Sequence, residues 1–351
     1  MRRRSMAIEK KAWGLPLFRL DHGWTRFERR LCTLVLLVEV FALTVWVALE
    51  GLSTGREGAA AGIVFRALVG ATVLGAGAWW ALAKRSPRTR RIACVACLLL
   101  GALAAQAWAN AGVDWSSNLL NWFQQASTLT LVGGLRGFGT RLTLLLALLG
   151  GSLATAAGKH ITIDLVTRYL KPAVRLPTAT AGWMLTACVC LTAAWGFFDH
   201  ISIEDFGANR DASALEKVGS VQKGVADYAF VTRKQVVLDF KSLPHVLRGE
   251  RYGEWLRGAD WNRFLDDAGF VERWGNEKIE PLRIPADARR APIVVIPGEG
   301  EPRGGLTHVA NLVFPIGLLI IGLRFVLLTL LAWSGHFDLD GEAHAGGLER
   351  I

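Results

Sequence analysis

Cysteine is scarce in this chain, with five residues among 351. All five lie within or at the edge of apolar stretches: Cys32, Cys94, Cys97, Cys188 and Cys190. A structural zinc site needs four ligands, and the pair Cys94 and Cys97 has no second pair to complete one. The hydrophilic stretch 201–306 contains no cysteine and must therefore fold without disulfide bonds. We interpret the cysteines as small packing residues of helices, because free cysteine behaves as a small apolar side chain.

Sequence signatures of catalysis and cofactor binding are also lacking. The chain has no glycine loop that would cradle a phosphate, no nucleophile elbow and no metalloprotease helix. His160, His200 and His308 suggest a haem held by two histidines, but each lies at the end of an apolar stretch rather than within one. We therefore expect no catalytic residue, no metal site and no cofactor bound by this chain, and we do not expect an enzyme.

Charged residues make up only 20% of the chain, against 52% hydrophobic residues, and the mean hydropathy is +0.31. This composition excludes an ordinary soluble enzyme of this size and indicates a polytopic membrane protein. A helix that crosses a bilayer needs roughly 20 apolar residues. Six stretches of about that length are predicted to be transmembrane helices: 31–52, 62–83, 92–111, 138–157, 178–198 and 308–333.

The positions of the basic residues predict the orientation. The formal net charge of +10 could suggest nucleic-acid binding, but the basic residues cluster beside the apolar stretches, so we expect no nucleic acid. Nine Arg and Lys precede the first stretch, five occupy 84–91, and Lys159, Arg168, Lys171 and Arg175 follow the fourth. Because cytoplasmic loops carry an excess of Lys and Arg, both termini are predicted to lie inside and residues 201–306 outside.

The stretches between the spans complete the predicted architecture, an all-α polytopic membrane protein with a small α+β lobe. Residues 1–30 mix aromatic and basic side chains, which favours an arm lying in the membrane interface. We expect an external segment at 113–137, a connector at 158–177, an extracytoplasmic lobe at 201–306 and a tail at 334–351 on the inner side. The lobe is nearly neutral and shows amphipathic helical spacing, with one strand expected in APIVVIPGEGEPRGG, residues 291–305.

A single carboxylate, Glu39, lies near the middle of the first apolar stretch. A charge in hydrocarbon is costly and marks a functional contact. Glu39 either contacts another helix, of this chain or of a partner, or takes part in ion or proton coupling. Coupling normally requires several polar groups that converge at mid-membrane, and the sequence shows no such set.

Four ionisable residues crowd together where the fourth apolar stretch ends, in GKHITIDLVTRYLKP: Lys159, His160, Asp164 and Arg168. The apolar residues between them recur at helical spacing, which favours an amphipathic helix along the membrane surface. In such a helix Asp164 and Arg168 are four residues apart and able to pair. The alternative is an ordinary connector that carries the basic residues of a cytoplasmic loop.

The run LLLALLGGSLATAAGKHITIDLVTRYL resembles the signature of the small permease (Q, DctQ-like) subunit of TRAP (tripartite ATP-independent periplasmic) transporters. There a span rich in Gly and Ala is followed by a basic residue, His-Ile, and a Val-Asp or Ile-Asp step. The matching residues here are Gly151, Lys159, His160, Ile161, Ile163, Asp164 and Leu165. A second match is FPIGLLIIGLRFVLLTL, with Pro315, Gly317 and Arg324. The first span, with FERRL and Glu39, resembles the family more loosely.

The resemblance implies a non-catalytic scaffold in the bacterial inner (cytoplasmic) membrane, with residues 201–306 in the periplasm. Its expected partners are the large permease (M) subunit, a periplasmic solute-binding protein and membrane lipid. The large subunit would hold the substrate and sodium sites, and the complex would take up an organic acid by secondary transport. The candidates for partner interface or anchoring are Glu39, Lys159, His160, Asp164, Arg168, Pro315, Gly317 and Arg324.

The chain departs from the family in two places. The family's usual core has four spans, so the stretches 62–83 and 92–111 are additional, and the external lobe is longer than usual. We hypothesise that the lobe helps to dock the binding protein; the alternative is a passive cap. Two other functions stay open: a membrane anchor for a sensing or enzymatic lobe, and a redox (haem) membrane subunit.

Overall fold

The structure is a computed structural model that describes residues 11–54, 59–105, 107, 109–157, 171–298 and 305–337. Most of them are helical. The helices are α1 (Gly14–Ser53), α2 (Ala59–Ala81), α3 (Pro87–Ala104), α4 (Ala109–Gln125), α5 (Gly134–Ala156), α6 (Pro172–Glu204), α7 (Ala214–Leu247), α8 (Gly258–Asp267), α9 (Phe270–Trp274), α10 (Asn276–Ile279), α11 (Gly305–Asn311) and α12 (Val313–Trp333). Short 3-10 helices cover Thr128–Val132 and Glu280–Leu282, and strands β1 (Leu256–Arg257) and β2 (Arg289–Arg290) have two residues each.

Five stretches of the described chain are long and apolar enough to cross a membrane. They are Gly14–Ser53, Gly62–Ala81, Gly134–Ala156, Val174–Glu204 and Gly305–Trp333. Large apolar side chains on them are exposed, among them Phe41, Leu68 and Leu185, as expected for surfaces that face lipid. The fold is therefore that of an all-α polytopic membrane protein.

The predicted boundary between the N-terminal arm and the first span, at residues 30 and 31, lies within a helix. Residues 14–30 of the arm and the first span belong to α1, a continuous helix of 40 residues. Pro16 lies in its first turn, where a missing N–H breaks no intrahelical hydrogen bond. The sequence FERRL that joins the two parts contains good helix formers, so nothing in it ends the helix.

The stretch 92–111, predicted to be one span, is divided between two helices. α3 ends at Ala104 and α4 begins at Ala109. α3 carries Arg88, Arg90 and Arg91 in its first two turns and is not among the five apolar stretches of the described chain. α4 and the 3-10 helix that follows occupy most of the predicted external segment 113–137.

The chain divides into two compact units. The first contains α1 up to Glu39, residues 140–225, and the chain from His308 onward. Its core lies where α6 packs against α12, and its buried apolar residues are Ala179, Trp183, Ala187, Phe325, Leu328 and Ala332. Gly322 brings α12 close to α6, because a Cβ there would lie 3.1 Å from Leu191.

The second unit contains the chain from Val40 to Gly139 and from Ala226 to Thr307. Here α2 and α3 form a helical hairpin whose backbones approach closely at Gly70 and Gly101. A Cβ at Gly70 would lie 2.5 Å from the carbonyl oxygen of Gly101. Small residues allow this approach, which is a common way for helices to associate in membranes. Ser86 caps α3 by accepting from the Thr89 N–H at 3.3 Å.

The lobe part of the second unit is built on the buried face of α7. Val231 and Leu238 of this helix pack against a core of residues from the segments that follow: Leu256, Trp261, Leu265, Phe270, Ile279 and Val294. β1 and β2 form a two-stranded antiparallel ladder with Leu256 opposite Arg290. Helices therefore supply nearly all the regular structure of the described part of the lobe.

The strand expected within residues 291–305 is not formed in its described part, 291–298. Its polar backbone groups bond to side chains instead of to a neighbouring strand. Gln235 of α7 donates to the Pro292 carbonyl and accepts from the Val294 N–H, both at 2.8 Å. Arg290 donates to the Ile293 carbonyl at 2.9 Å. The apolar run IVVI thus fills the core as irregular backbone.

α4 packs against the end of α7, although the two are more than a hundred residues apart in the chain. Trp122 of α4 donates to the Ser242 hydroxyl at 3.0 Å, and Trp115 donates to the Leu247 carbonyl at 3.0 Å. Asn118 donates to the Glu250 carbonyl at 2.8 Å and accepts from the Tyr252 N–H at 3.0 Å. The predicted external segment and the part of the predicted lobe that follows residue 225 therefore belong to one folded body.

Candidate functional site

A buried group of polar side chains joins α1, α5 and α12 in the first unit. At its centre is Arg324 of α12, whose exposure is 3%. Its Nη2 donates to Glu28 Oε2 at 2.7 Å, and its Nη1 donates to Asp21. Glu28, 2% exposed, also accepts from Trp24 Nε1 at 2.6 Å and from the Ser152 hydroxyl at 2.7 Å. We call this group the arginine cluster.

Helical spacing explains why α1 presents three of these side chains together. Asp21, Trp24 and Glu28 are separated by three and four residues, so they lie on one face of the helix. That face packs towards α12, where Arg324 lies over the ring of Trp24 with 5.3 Å between its Cζ and the ring centroid. An aromatic face attracts a guanidinium, which adds to the ionic contacts.

The arginine cluster neutralises a charge that apolar surroundings would otherwise penalise. A guanidinium within a membrane protein is stabilised when it pairs with carboxylates. Two carboxylates face Arg324, and Glu28 has three donors around it. This arrangement fixes helix positions and involves no reactive group, so its chemistry is that of an anchor.

Glu39 of α1 contacts a second hydroxyl on α5. The Thr143 hydroxyl donates to Glu39 Oε1, and Glu39 is 8% exposed. Glu28 and Glu39 of α1 thus each accept a hydrogen bond from a hydroxyl of α5, that of Ser152 and that of Thr143 respectively. Glu39 therefore contacts a helix of the same chain.

Pro315 and Gly317 are buried in the first turns of α12. A Cβ on Gly317 would lie 2.6 Å from Leu148 Cδ1, so only glycine allows α12 to approach α5 this closely. Pro315 follows the start of the helix by two residues, where proline is tolerated. Together with Arg324, these residues position α12 on the rest of the first unit.

Four predicted candidates lie outside the described residues: Lys159, His160, Asp164 and Arg168. Among the described candidates, Glu39, Gly317 and Arg324 all contact α1 or α5. Sequence reasoning missed Asp21, Glu28 and Ser152. Asp21 and Glu28 are seven residues apart within a strongly basic arm, and this spacing could have indicated two carboxylates on one face of a helix.

Near the C-terminal end of α6, a second ion pair stabilises the turn that leads into α7. Lys217, which is 5% exposed, donates to Asp199 at 2.6 Å and to the Arg210 carbonyl at 2.9 Å. Asp205 nearby accepts from Asn311 at 2.9 Å. Within the described ranges no group of three or more His, Cys, Asp or Glu has the arrangement of a metal site.

The family comparison concerns the stretch from α5 to the start of α7. Residues 136–218 match the family model described as tripartite ATP-independent periplasmic transporters, DctQ component. We call this matched segment the DctQ domain. The match confirms the resemblance to the TRAP small permease, and it identifies a transporter component rather than an enzyme family. No curated protein and no solved structure matches the chain.

The DctQ domain supplies the side of the site that lies on α5. Ser152 and Thr143, the hydroxyls that bond Glu28 and Glu39, lie within it, as does Lys217. α1 and α12 lie outside the matched residues but pack in the same compact unit. The polar contacts between α1, α5 and α12 therefore extend the domain into a larger membrane body.

Proposed function

We propose that this chain is the small integral-membrane subunit of a TRAP transporter and that it braces a large permease subunit. The DctQ domain at 136–218 carries the proposal. The arginine cluster supports it, because a scaffold requires helices whose mutual positions are fixed. The coupled process would be uptake of an organic acid driven by an ion gradient, with the sodium and substrate sites on the large subunit.

Copurification from the native membrane tests this role. The tagged chain is extracted in mild detergent, and the proteins present at stoichiometric amount are identified by mass spectrometry. We expect a large polytopic permease in the eluate. A chain that emerges alone, or with redox or signalling proteins, would contradict the proposal; haem absorbance would favour the redox alternative.

We further propose that α3, which packs along α2, crosses the membrane together with the five apolar stretches, so that both termini lie in the cytoplasm of a bacterial cell and the lobe lies in the periplasm. The hydrogen bonds between α4 and the end of α7 support this topology, since two parts of one folded body must lie on the same side. Labelling of an exposed Lys241→Cys variant in intact spheroplasts with a membrane-impermeant thiol reagent tests it. If that cysteine is labelled only after the membrane is permeabilised, the lobe lies in the cytoplasm and the proposed orientation is wrong.

The exposed face of α7 supports the hypothesis that the lobe docks the solute-binding protein. Phe240 is 77% exposed, and Val236 and Val237 beside it are also exposed. Arg233 and Lys241 flank this apolar patch and are exposed. Exposed apolar patches with a polar rim are typical of protein interaction sites. The basic rim favours a partner surface that carries carboxylates.

Substitution of Phe240 tests docking better than removal of the lobe, because deletion would strip α4 of its partners. In vesicle uptake with purified binding protein, Phe240→Glu is expected to raise the binding-protein concentration needed for half-maximal uptake. Leu215→Glu, at an equally exposed apolar residue of the same helix, is the matched control. Equal behaviour of both variants and the unsubstituted chain would contradict docking through this patch, while copurification of the permease would be unaffected.

A further inference from the structure

We propose that a groove in the first unit binds an anionic phospholipid, with the phosphate on arginines of α1 and an acyl chain in the groove. The groove has a volume of about 600 Å³. Its apolar wall consists of Leu20, Gly23, Phe27 and Leu31 of α1, Leu149 of α5 and Ile320 of α12, and Arg19 lies at its edge. The inference depends on the chain lying in a membrane and does not depend on the transporter role.

α1 carries a ridge of cations beside this groove. Arg19, Arg26 and Arg30 are separated by seven and four residues, so they lie on one face of the helix. All three are exposed, and none has an ion pair or side-chain hydrogen bond within the described part of the chain. The ridge is therefore available for an external anion.

The next face of α1 forms the groove, and the face after that forms the arginine cluster. Leu20, Phe27 and Leu31 follow the cationic ridge around the helix. Trp24 and Glu28 of the arginine cluster follow them and line the far side of the groove. Cationic, apolar and buried polar faces thus lie side by side on one helix. A phospholipid matches the cationic and apolar faces in this order, since its phosphate adjoins its acyl chains.

Gly23 makes the groove open. A Cβ built on this residue would meet nothing within 4 Å, so the space beside it is empty of protein. The neighbouring Phe27 and Leu20 are 65% and 55% exposed. A side chain at residue 23 would therefore start in open space at the wall of the groove.

The charge of the ridge favours an anionic lipid over an apolar helix of a partner protein. A packed apolar helix would leave three guanidinium groups without counter-charges. Basic pockets between transmembrane helices on the cytoplasmic side bind anionic head groups, and arginine matches phosphate geometry with paired hydrogen bonds. The lipid with this chemistry in a bacterial membrane is of the phosphatidylglycerol class.

Native mass spectrometry of the full chain, together with any permease that copurifies, tests the proposal. The protein is reconstituted in nanodiscs of equal parts phosphatidylethanolamine and phosphatidylglycerol, then released in the gas phase with its retained lipid. We expect phosphatidylglycerol to be retained in preference. Gly23→Leu is expected to reduce that retention about tenfold, the effect of displacing roughly two buried methylene groups.

Gly77→Leu is the matched control for the groove, because Gly77 is a helical glycine of α2 that also has nothing within 4 Å of a Cβ.

For the ridge, Arg19→Gln, Arg26→Gln and Arg30→Gln are combined. Each lost cation is expected to reduce retention about fivefold. The triple change Arg85→Gln, Arg88→Gln and Arg91→Gln removes the same charge from exposed residues around the α2–α3 turn.

Three results would overturn the proposal. One is equal retention of phosphatidylglycerol by Gly23→Leu and Gly77→Leu. Another is equal retention of the two lipid classes by the unsubstituted chain. The third is loss of a copurifying permease from Gly23→Leu without any change in lipid, which would make the groove a protein interface. Retention of lipid by a chain that brings no permease would leave the lipid site standing and contradict only the transporter role.

Discussion

Arg324 of α12 donates from Nη2 to Glu28 Oε2 of α1 across 2.7 Å, and 296 residues of chain separate the two. Both side chains are almost completely buried. In apolar surroundings such a pair is specific, because either partner alone would leave a charge without compensation. The contact therefore sets how the first and last membrane helices of the described chain meet.

Replacement of Arg324 by alanine is expected to lower the free energy of unfolding by about 3 to 5 kcal/mol, since it leaves Glu28 and Asp21 buried without their cation. Titration with a denaturing detergent, followed by tryptophan fluorescence, measures the change. Arg85→Ala, at an exposed arginine, is the control and is expected to have little effect. A double-mutant cycle with Glu28→Ala should give a coupling energy of about 0.5 to 3 kcal/mol. Additive effects would show that the two residues do not interact.

Substitution at the glycine contact of α2 and α3 is expected to separate the hairpin. A Cβ at Gly101 would overlap the carbonyl oxygen of Gly70, so Gly101→Val forces the backbones apart. The expected cost is about 1 to 3 kcal/mol in the same titration. Gly77→Val adds the same atoms to α2 where nothing lies within 4 Å. If both variants lose equal stability, helix propensity rather than packing is responsible.

Gln235 of α7 is expected to be essential for order in residues 291–297. It is completely buried, donates to the carbonyls of Ala126 and Pro292 and to Asp239, and accepts from the Val294 N–H. Gln235→Leu leaves the Pro292 carbonyl and the Val294 N–H without this partner, each at a cost of about 1 to 3 kcal/mol. Hydrogen exchange of a peptide covering 286–297 should accelerate. Gln222→Leu, on the exposed face of the same helix, should leave that exchange unchanged.

The pH dependence of stability is expected to contain a contribution from Asp239. Burial raises its pKa above the ordinary 3.8, although hydrogen bonds from Thr128 and Gln235 oppose the shift. The folded state therefore binds more protons than the unfolded state between 3.8 and the raised pKa. Stability from this group is greatest below 3.8, falls as the pH rises through that window, and is constant above it.

Thermal unfolding between about pH 7 and pH 4 measures this contribution when the chain is compared with Asp239→Asn, which does not titrate there. The melting temperature of the unsubstituted chain should rise relative to that of the variant as the pH is lowered. Parallel curves would show that Asp239 has the same pKa in both states. Asp266 acts in the opposite direction, because its hydrogen bond to Arg283 lowers its pKa below 3.8.

The membrane class and the resemblance to the TRAP small permease could be predicted from sequence, because apolar runs and short motifs are local signals. The partners of Arg324 could not, because Asp21 and Glu28 lie about 300 residues away and are surrounded by basic residues that suggest an interfacial arm. The run IVVI at 293–296 has the composition of a strand, yet Gln235 and Arg290 bond its backbone. Side-chain contacts of this kind leave no periodic pattern.

The hydrogen bonds between α4 and the segment after α7 also impose an order on folding, because the residues of α4 are synthesised long before their partners. Trp115 and Asn118 find their acceptors 132 residues later. At about 5 to 20 residues per second, the ribosome needs roughly 7 to 26 seconds to supply them. During that interval the Trp115 indole and the Asn118 amide lack these acceptors, although Leu119 and Leu120 of α4 already have apolar partners on α1. The body that α4 shares with the end of α7 can therefore be completed only after the chain has been made as far as Tyr252.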